Sequence, residues 1–168
     1  MIRTRLTITA GLLLAAVGIF GGWVVFKNFP ATGEVTYTMQ LGSDTRAVTR
    51  LGPDPRLRLQ TGYQEVLEGP IYFDVRIMPW QSQATIKIEY KEINRTLNRV
   101  GGKIADPWQF DLRLPVETID LFDGWKRATF VSDLAPLLAP KNMYRFLIDT
   151  TGDTGRVMLI RSITITAS

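Results

Sequence analysis

Between residues 71 and 91 the chain keeps a strict period of two, and that period limits what it can fold into more than any other feature. Ile71, Phe73, Val75 and Ile77 alternate with Tyr72, Asp74 and Arg76. Ala84, Ile86, Ile88 and Tyr90 alternate in the same way with Thr85, Lys87, Glu89 and Lys91. Successive side chains of a strand point to opposite faces, so each run has an apolar side and a wet side, as an antiparallel sheet packed on one face requires. With residues 78–83 as a turn, the two runs are expected to pair like a hairpin.

Similar alternation marks Val35, Tyr37, Met39 and Leu41, then Tyr144, Phe146 and Ile148, and also Trp108, Phe110, Leu112 and Leu114, a run that assigns Trp108 to the core. Residues 45–68 are less regular and read as two short strands around a proline-kinked loop. In the final stretch Val157, Leu159, Ile163 and Ile165 share a parity with Arg161, which predicts a bulge near Arg161-Ser162. One segment breaks the pattern. Ile93, Leu97 and Val100 are spaced like a helical face and Gly101-Gly102 follow, predicting a short helical or irregular crossover at 92–103. Ser132-Asp133 are expected to cap one turn. The sum is about eight or nine short strands with turn signals between them, the pattern of an all-β antiparallel sandwich, with a jelly roll favoured over an immunoglobulin-like arrangement.

Ahead of this domain lies a stretch of a different kind. Residues 6–26 contain no charge and no proline. As a helix they would reach roughly 31 Å at about 1.5 Å per residue, close to the hydrocarbon thickness of a bilayer. One N-terminal transmembrane helix is therefore expected, retained in preference to being cleaved, because a secretory apolar region is shorter, about 7–15 residues. Arg3 and Arg5 precede it and only Lys27 follows closely, so residues 1–5 are expected in the cytoplasm and the main domain outside the cell membrane. The organisation read from this is a span at 6–26, a Pro/Gly tether at 27–33 and a β-sandwich domain at 34–168. Gly18 and Gly22 have the spacing that brings two such helices into close contact, or are ordinary apolar-helix filler.

The net charge of +4 follows the same topology: beyond Lys27, 17 cations face 16 acids, a net of +1, which removes the compositional case for nucleic acid as a partner. With 0 Cys and 0 His, thiol and imidazole triads, His-based zinc hydrolysis and Cys-ligated clusters lack their parts. The domain must also hold itself together by burial alone, without disulfides.

A resemblance enters at the C-terminal half. Phe130-x-x-Asp133-Leu134, Tyr144-Arg145-Phe146-Leu147-Ile148 and Ile160-x-x-Ile163-x-Ile165 resemble the C-terminal half of galactose-binding-like or carbohydrate-binding jelly rolls, where a capped turn precedes a Y-R-F-type strand and an Ile-rich last strand. Gly69-Pro70-Ile71-Tyr72-Phe73-Asp74-Val75-Arg76, with the run from Ala84 to Tyr90, is similar to extracytoplasmic β-domains of membrane proteins from candidate-phyla bacteria, some of them attached to transporter permeases. The resemblance implies a fold and a location. It brings no catalytic motif.

Several residues are candidates for chemistry. Trp80 and Trp125, with Gln81, Gln83 and Asp123, have the types that hold a sugar: an aromatic plane under the C–H face of the ring, amides and carboxylates on its hydroxyls. The other reading is that the indoles plug the ends of the sandwich. Asp149 and Asp153 are candidates for a structural calcium, though two carboxylates fall short of the six to eight oxygens such an ion takes. Asp153-Thr154-Gly155 matches an aspartic-protease triplet but lacks the preceding apolar residues and a second lobe, so it reads as a loop. Lys91, Arg95, Arg99 and Lys103 would form a basic stripe on a helix, read as a solvated face. The functional expectation is a membrane-anchored extracytoplasmic binding module for a glycan or cell-envelope polymer, not an enzyme. The alternative is a structural accessory subunit of a larger membrane-protein complex such as a transporter.

Overall fold

The computed structural model describes residues 15–21, 33–153 and 155–168. The chain divides into two compact units, Met1–Glu34 and Val35–Ser168. In the first, residues 15–21 are helical and exposed, and a Cβ added at Gly18 would meet no atom within 4 Å. The rest of the expected span, Gly22 included, and residues 27–32 of the tether lie outside the described residues. No helix among the described residues is long and apolar enough to cross a membrane.

The second unit is an antiparallel β-sandwich. Its strands are β1 (Val35–Thr38), β2 (Leu57–Gln60), β3 (Tyr63–Val66), β4 (Ile71–Arg76), β5 (Gln83–Glu92), β6 (Thr96–Ala105), β7 (Gln109–Arg113), β8 (Glu117–Asp120), β9 (Lys126–Asp133), β10 (Met143–Thr151) and β11 (Met158–Ala167). Seven form one sheet in the order β2-β3-β11-β5-β9-β8, with β1 also on β11; the other four form a sheet in the order β4-β10-β6-β7. The apolar faces of the two sheets meet in one core, where Phe73, Phe130 and Phe146 are buried with Ile86, Ile88 and Ile163. Phe73 and Phe146 stack with centroids 5.7 Å apart.

Ile71, Phe73, Val75 and Ile77 are all fully buried, as are Ala84, Ile86 and Ile88. The hairpin between them is not formed. β4 pairs with β10 in the smaller sheet and β5 with β9 and β11 in the larger, so residues 77–82 carry the chain from one layer to the other. Alternation identifies the side a strand buries, and two strands that face each other across a core bury matching sides just as two neighbours do.

The short helical or irregular crossover expected at 92–103 is also corrected, since Thr96–Ala105 is strand β6. Asp149 pairs with Arg99 and Thr150 with Leu97, leaving Asn98 as an extra residue. That one-residue bulge lets Leu97 and Val100, three apart, both point inward, so a strand counterfeits helical spacing. Gly101-Gly102 then lie inside the strand and not at a helix end. The bulge expected in the last strand is present: Ile160 pairs with Tyr90 and Ser162 with Glu89, and Arg161 is left over. Across it the buried set changes from Met158 and Ile160 to Ile163 and Ile165. At the end of β9, Asp133 caps the turn by accepting the Ala135 N–H at 3.3 Å, while Ser132 is a strand residue whose buried Oγ has no partner among the described residues.

Candidate functional site

The residues expected to form a sugar platform are split between the two ends of β5. Trp80 and Gln81 precede it, Gln83 begins it, and Gln83 pairs with Asp133; at the other end Tyr90 pairs with Lys126, next to Trp125. Seven residues of strand put the two groups about 23 Å apart at about 3.3 Å per residue. Trp80 is 59% exposed. Gln81 is buried and braces its own turn, its Oε1 accepting the Met78 N–H at 3.0 Å and its Nε2 donating to the Ala167 carbonyl at 2.8 Å. Gln83 is exposed, and its backbone pairs with Ser168. Asp123 ion-pairs with Lys91 at 3.3 Å. Trp125 is half-buried beneath the Arg161 guanidinium, 4.6 Å from its ring centroid.

The calcium candidates are both engaged by arginine: Asp149 with Arg99 at 3.0 Å and Asp153 with Arg156 at 3.1 Å. Among the described residues no group of three or more carboxylates converges to hold a metal. The basic stripe dissolves with its helix. Lys91, Arg99 and Lys103 pair with Asp123, Asp149 and Asp106, and Arg95 is 3% exposed.

A different set of residues does converge, on the outer face of the four-stranded sheet. The register runs Tyr72 (β4), Leu147 (β10), Gly101 (β6), Leu112 (β7) straight across all four strands. Gly101 leaves this row without a side chain at its third position, and a Cβ there would lie 1.8 Å from the Asp111 carbonyl oxygen. The groove beside this row encloses about 460 Å³ between Tyr72, Trp108, Phe110 and Leu147, with Pro53, Pro70 and Arg56 as its rim. Trp108 is 58% exposed, which corrects its assignment to the core. It shares a face with Phe110 and Leu112 as their spacing requires, but on this edge strand the shared face is the outer one. The Tyr72 and Trp108 centroids are 6.0 Å apart at 49°, and those of Trp108 and Phe110 6.1 Å apart at 27°.

The polar groups of the groove adjoin its aromatic wall. The Arg145 guanidinium covers Tyr72 at 4.7 Å from the ring centroid and grips Asp74 with two hydrogen bonds, Nε to Oδ1 at 2.7 Å and Nη2 to Oδ2 at 2.9 Å. The Asp74 hydrogen bond pushes Arg145 above the ordinary arginine range. A second hollow of about 240 Å³ continues past this pair to Lys103 and Asp106, which are themselves ion-paired. Arg56 donates to the Pro70 carbonyl at 2.6 Å. Flat aromatic surface next to fixed donors and acceptors suits a ligand with an apolar ring face and polar edges. Asp74 and Asp106 are both held by cations, Arg145 and Lys103.

One signal for this site is present in the sequence: Tyr72 is a large aromatic on the wet side of the most regular strand. The rest is tertiary, because Trp108, Phe110 and Leu147 meet Tyr72 only through strand order. No protein-family model matches the chain, and no curated protein matches it. The fold and the groove define the class: an antiparallel β-sandwich domain with an aromatic groove on its smaller sheet.

Proposed function

We propose that the protein is a membrane-anchored binding module whose sandwich lies outside the cytoplasm and holds a glycan or cell-envelope polymer in the Tyr72–Trp108–Phe110 groove. The carrying observation is Trp108: an indole more than half exposed, aligned with two further aromatic rings beside a charged pair. Burial of so large a surface is the usual source of stability in a domain without disulfides, so its exposure is explained by a ligand that covers it. The anchor rests on the uncharged stretch at 6–26 and its basic N-terminal flank. A jelly-roll arrangement is supported by the way β4, β5 and β6, and again β9, β10 and β11, pass alternately between the two sheets.

The test uses residues 34–168, which carry the described core residues from Met39 to Ala167. Binding to envelope polysaccharides and a glycan array is compared with Trp108→Ala and Tyr72→Ala. Loss of one stacked ring is expected to weaken binding about tenfold or more, the equivalent of about 1.4 kcal/mol. Trp125→Phe is expected to leave it unchanged. Unaltered binding by both groove variants would remove the reading.

The second reading, an accessory subunit of a larger membrane complex, is favoured by one observation. Leu114, Val116 and Phe122 are 69%, 66% and 93% exposed along and beside edge strand β8. Co-purification after detergent extraction, compared between wild type and Phe122→Ser, tests it.

A further inference from the structure

The turn between β4 and β5 lies at the end of the sandwich where the N-terminal segment joins. Val35, the first residue of β1, is opposite Ala167; Ala167 is opposite Ala84, and Ala84 opposite Ser132. Ser82 and Gln83 donate their N–H groups to the Ser168 carbonyl at 2.6 and 3.0 Å. Trp80 is at the tip of this turn and 59% exposed. The turn is held from beneath by Gln81, whose side chain ties Met78 to the last strand at Ala167. Its exposure is thus built into the fold.

Three cations gather at the same end. Arg76 closes β4 four residues before Trp80, and its N–H donates to the Ala47 carbonyl at 2.7 Å, which sets Arg46 beside it. Lys141 precedes Asn142, whose carbonyl accepts the Ile77 N–H at 3.1 Å. All three side chains are exposed, and none forms an ion pair among the described residues, although Arg99, Arg127, Arg145 and Arg161 do. The acids of this end are Glu34, Asp106 and Asp133; Asp106 is paired with Lys103, and Asp133 accepts the Ala135 N–H.

We propose that this end of the sandwich, with Trp80 at its tip and Arg46, Arg76 and Lys141 around it, rests on an anionic lipid surface. The proposal builds on the anchored reading above. Between the end of the apolar stretch and Val35 there are eight residues, which span at most about 30 Å even fully extended. That is no more than the length of β5, so the end that receives the tether is the end held nearest the bilayer. An indole seats its apolar body among headgroups with its N–H toward water, and cations within a Debye length of an anionic leaflet are attracted to it.

The full chain carrying Trp23→Phe, which removes the tryptophan inside the apolar stretch, is reconstituted in vesicles of phosphatidylcholine with phosphatidylglycerol, with and without brominated acyl chains, and tryptophan emission is read with and without Trp80→Phe. The expected result is that Trp80→Phe removes a large part of the bromine quenching. Equal quenching of the two proteins would overturn the proposal. In parallel, residues 34–168 are sedimented with vesicles of each lipid alone. Phosphatidylglycerol is expected to bring the fragment down and phosphatidylcholine not, and the combined R46Q, R76Q and K141Q variant to weaken sedimentation by about a hundredfold. Sedimentation indifferent to either change would also overturn it. Failure of the anchor itself is read separately, as release of the full chain from membranes by alkaline carbonate, and leaves the fragment experiment to decide the lipid contact.

Discussion

Replacing Arg95 tests whether the loop between β10 and β11 is held by a single buried cation. Its guanidinium donates to five oxygens: Nε to the Arg156 carbonyl at 3.2 Å, Nη1 to Thr150 Oγ1 at 3.1 Å, and Nη2 to the carbonyls of Leu67, Gly152 and Asp153 at 3.2, 3.1 and 3.2 Å. No carboxylate takes part; the positive charge is solvated by backbone dipoles in place of water. In Arg95→Met the carbonyls of Gly152, Asp153 and Arg156, all on exposed residues, can turn to solvent. Thr150, 8% exposed, and the half-buried Leu67 carbonyl lie deeper. Leaving these two without a donor costs about 1–2 kcal/mol each, or about 2–4 kcal/mol together. For a unit of this size that lowers the melting temperature by about 8–15 °C. Arg95→Lys is expected to recover less than half, because an ammonium cannot span the fork of acceptors. The assay is thermal and urea unfolding of residues 34–168, with hydrogen exchange at residues 150–157 reporting the loop. A shift below about 0.5 kcal/mol for Arg95→Met, within the range of an ordinary surface change, would refute the clamp.

Other outcomes follow from the same geometry. At Glu89, burial pushes the carboxyl up, but hydrogen bonds from Arg127 and Arg161, with the charges of both, outweigh it and leave it below the ordinary glutamate range. Its contribution is complete above the pKa of the unfolded chain and is lost as pH falls through the lowered folded value. Glu89→Gln should therefore be less stable at neutral pH and converge on wild type in acid, as urea midpoints across pH would show; a constant gap would count against it. Gly101→Ala drives a Cβ against the Asp111 backbone and is expected to cost about 3 kcal/mol, whereas Gly102→Ala meets Leu137 Cδ1, a movable side-chain end, at 2.2 Å and costs about 1–2 kcal/mol; equal losses on denaturation would contradict the rigid-neighbour argument.

Local geometry explains which parts were legible. The apolar positions of β4, β5 and β10 were readable because side-chain direction along a strand is set by neighbours two residues away. The Arg161 bulge was readable for the same reason, since a charged residue in the apolar parity forces a change of face. β6 was misread because the bulge at Asn98 breaks that parity, and its cause lies in the register with β10, outside the segment itself. The residues of the expected platform are separated at the same level. Trp80 and Trp125 are alike in sequence setting but sit at opposite ends of β5, and Trp108 has the right parity on a strand whose outer face was not distinguishable from its inner one.

By itself, the sequence determined that residues 34–168 form strands with one apolar side, that the domain has neither disulfides nor imidazole chemistry, and that an uncharged stretch precedes it. Only the tertiary structure decided that β4 pairs with β10, that Arg95 is a buried clamp and not part of a surface stripe, and that Tyr72, Trp108 and Phe110 share one groove. The physical reason is range. Alternation is fixed by bonds between successive residues, while partner, face and site are fixed by which two apolar surfaces close on each other, and that depends on residues scores of positions apart.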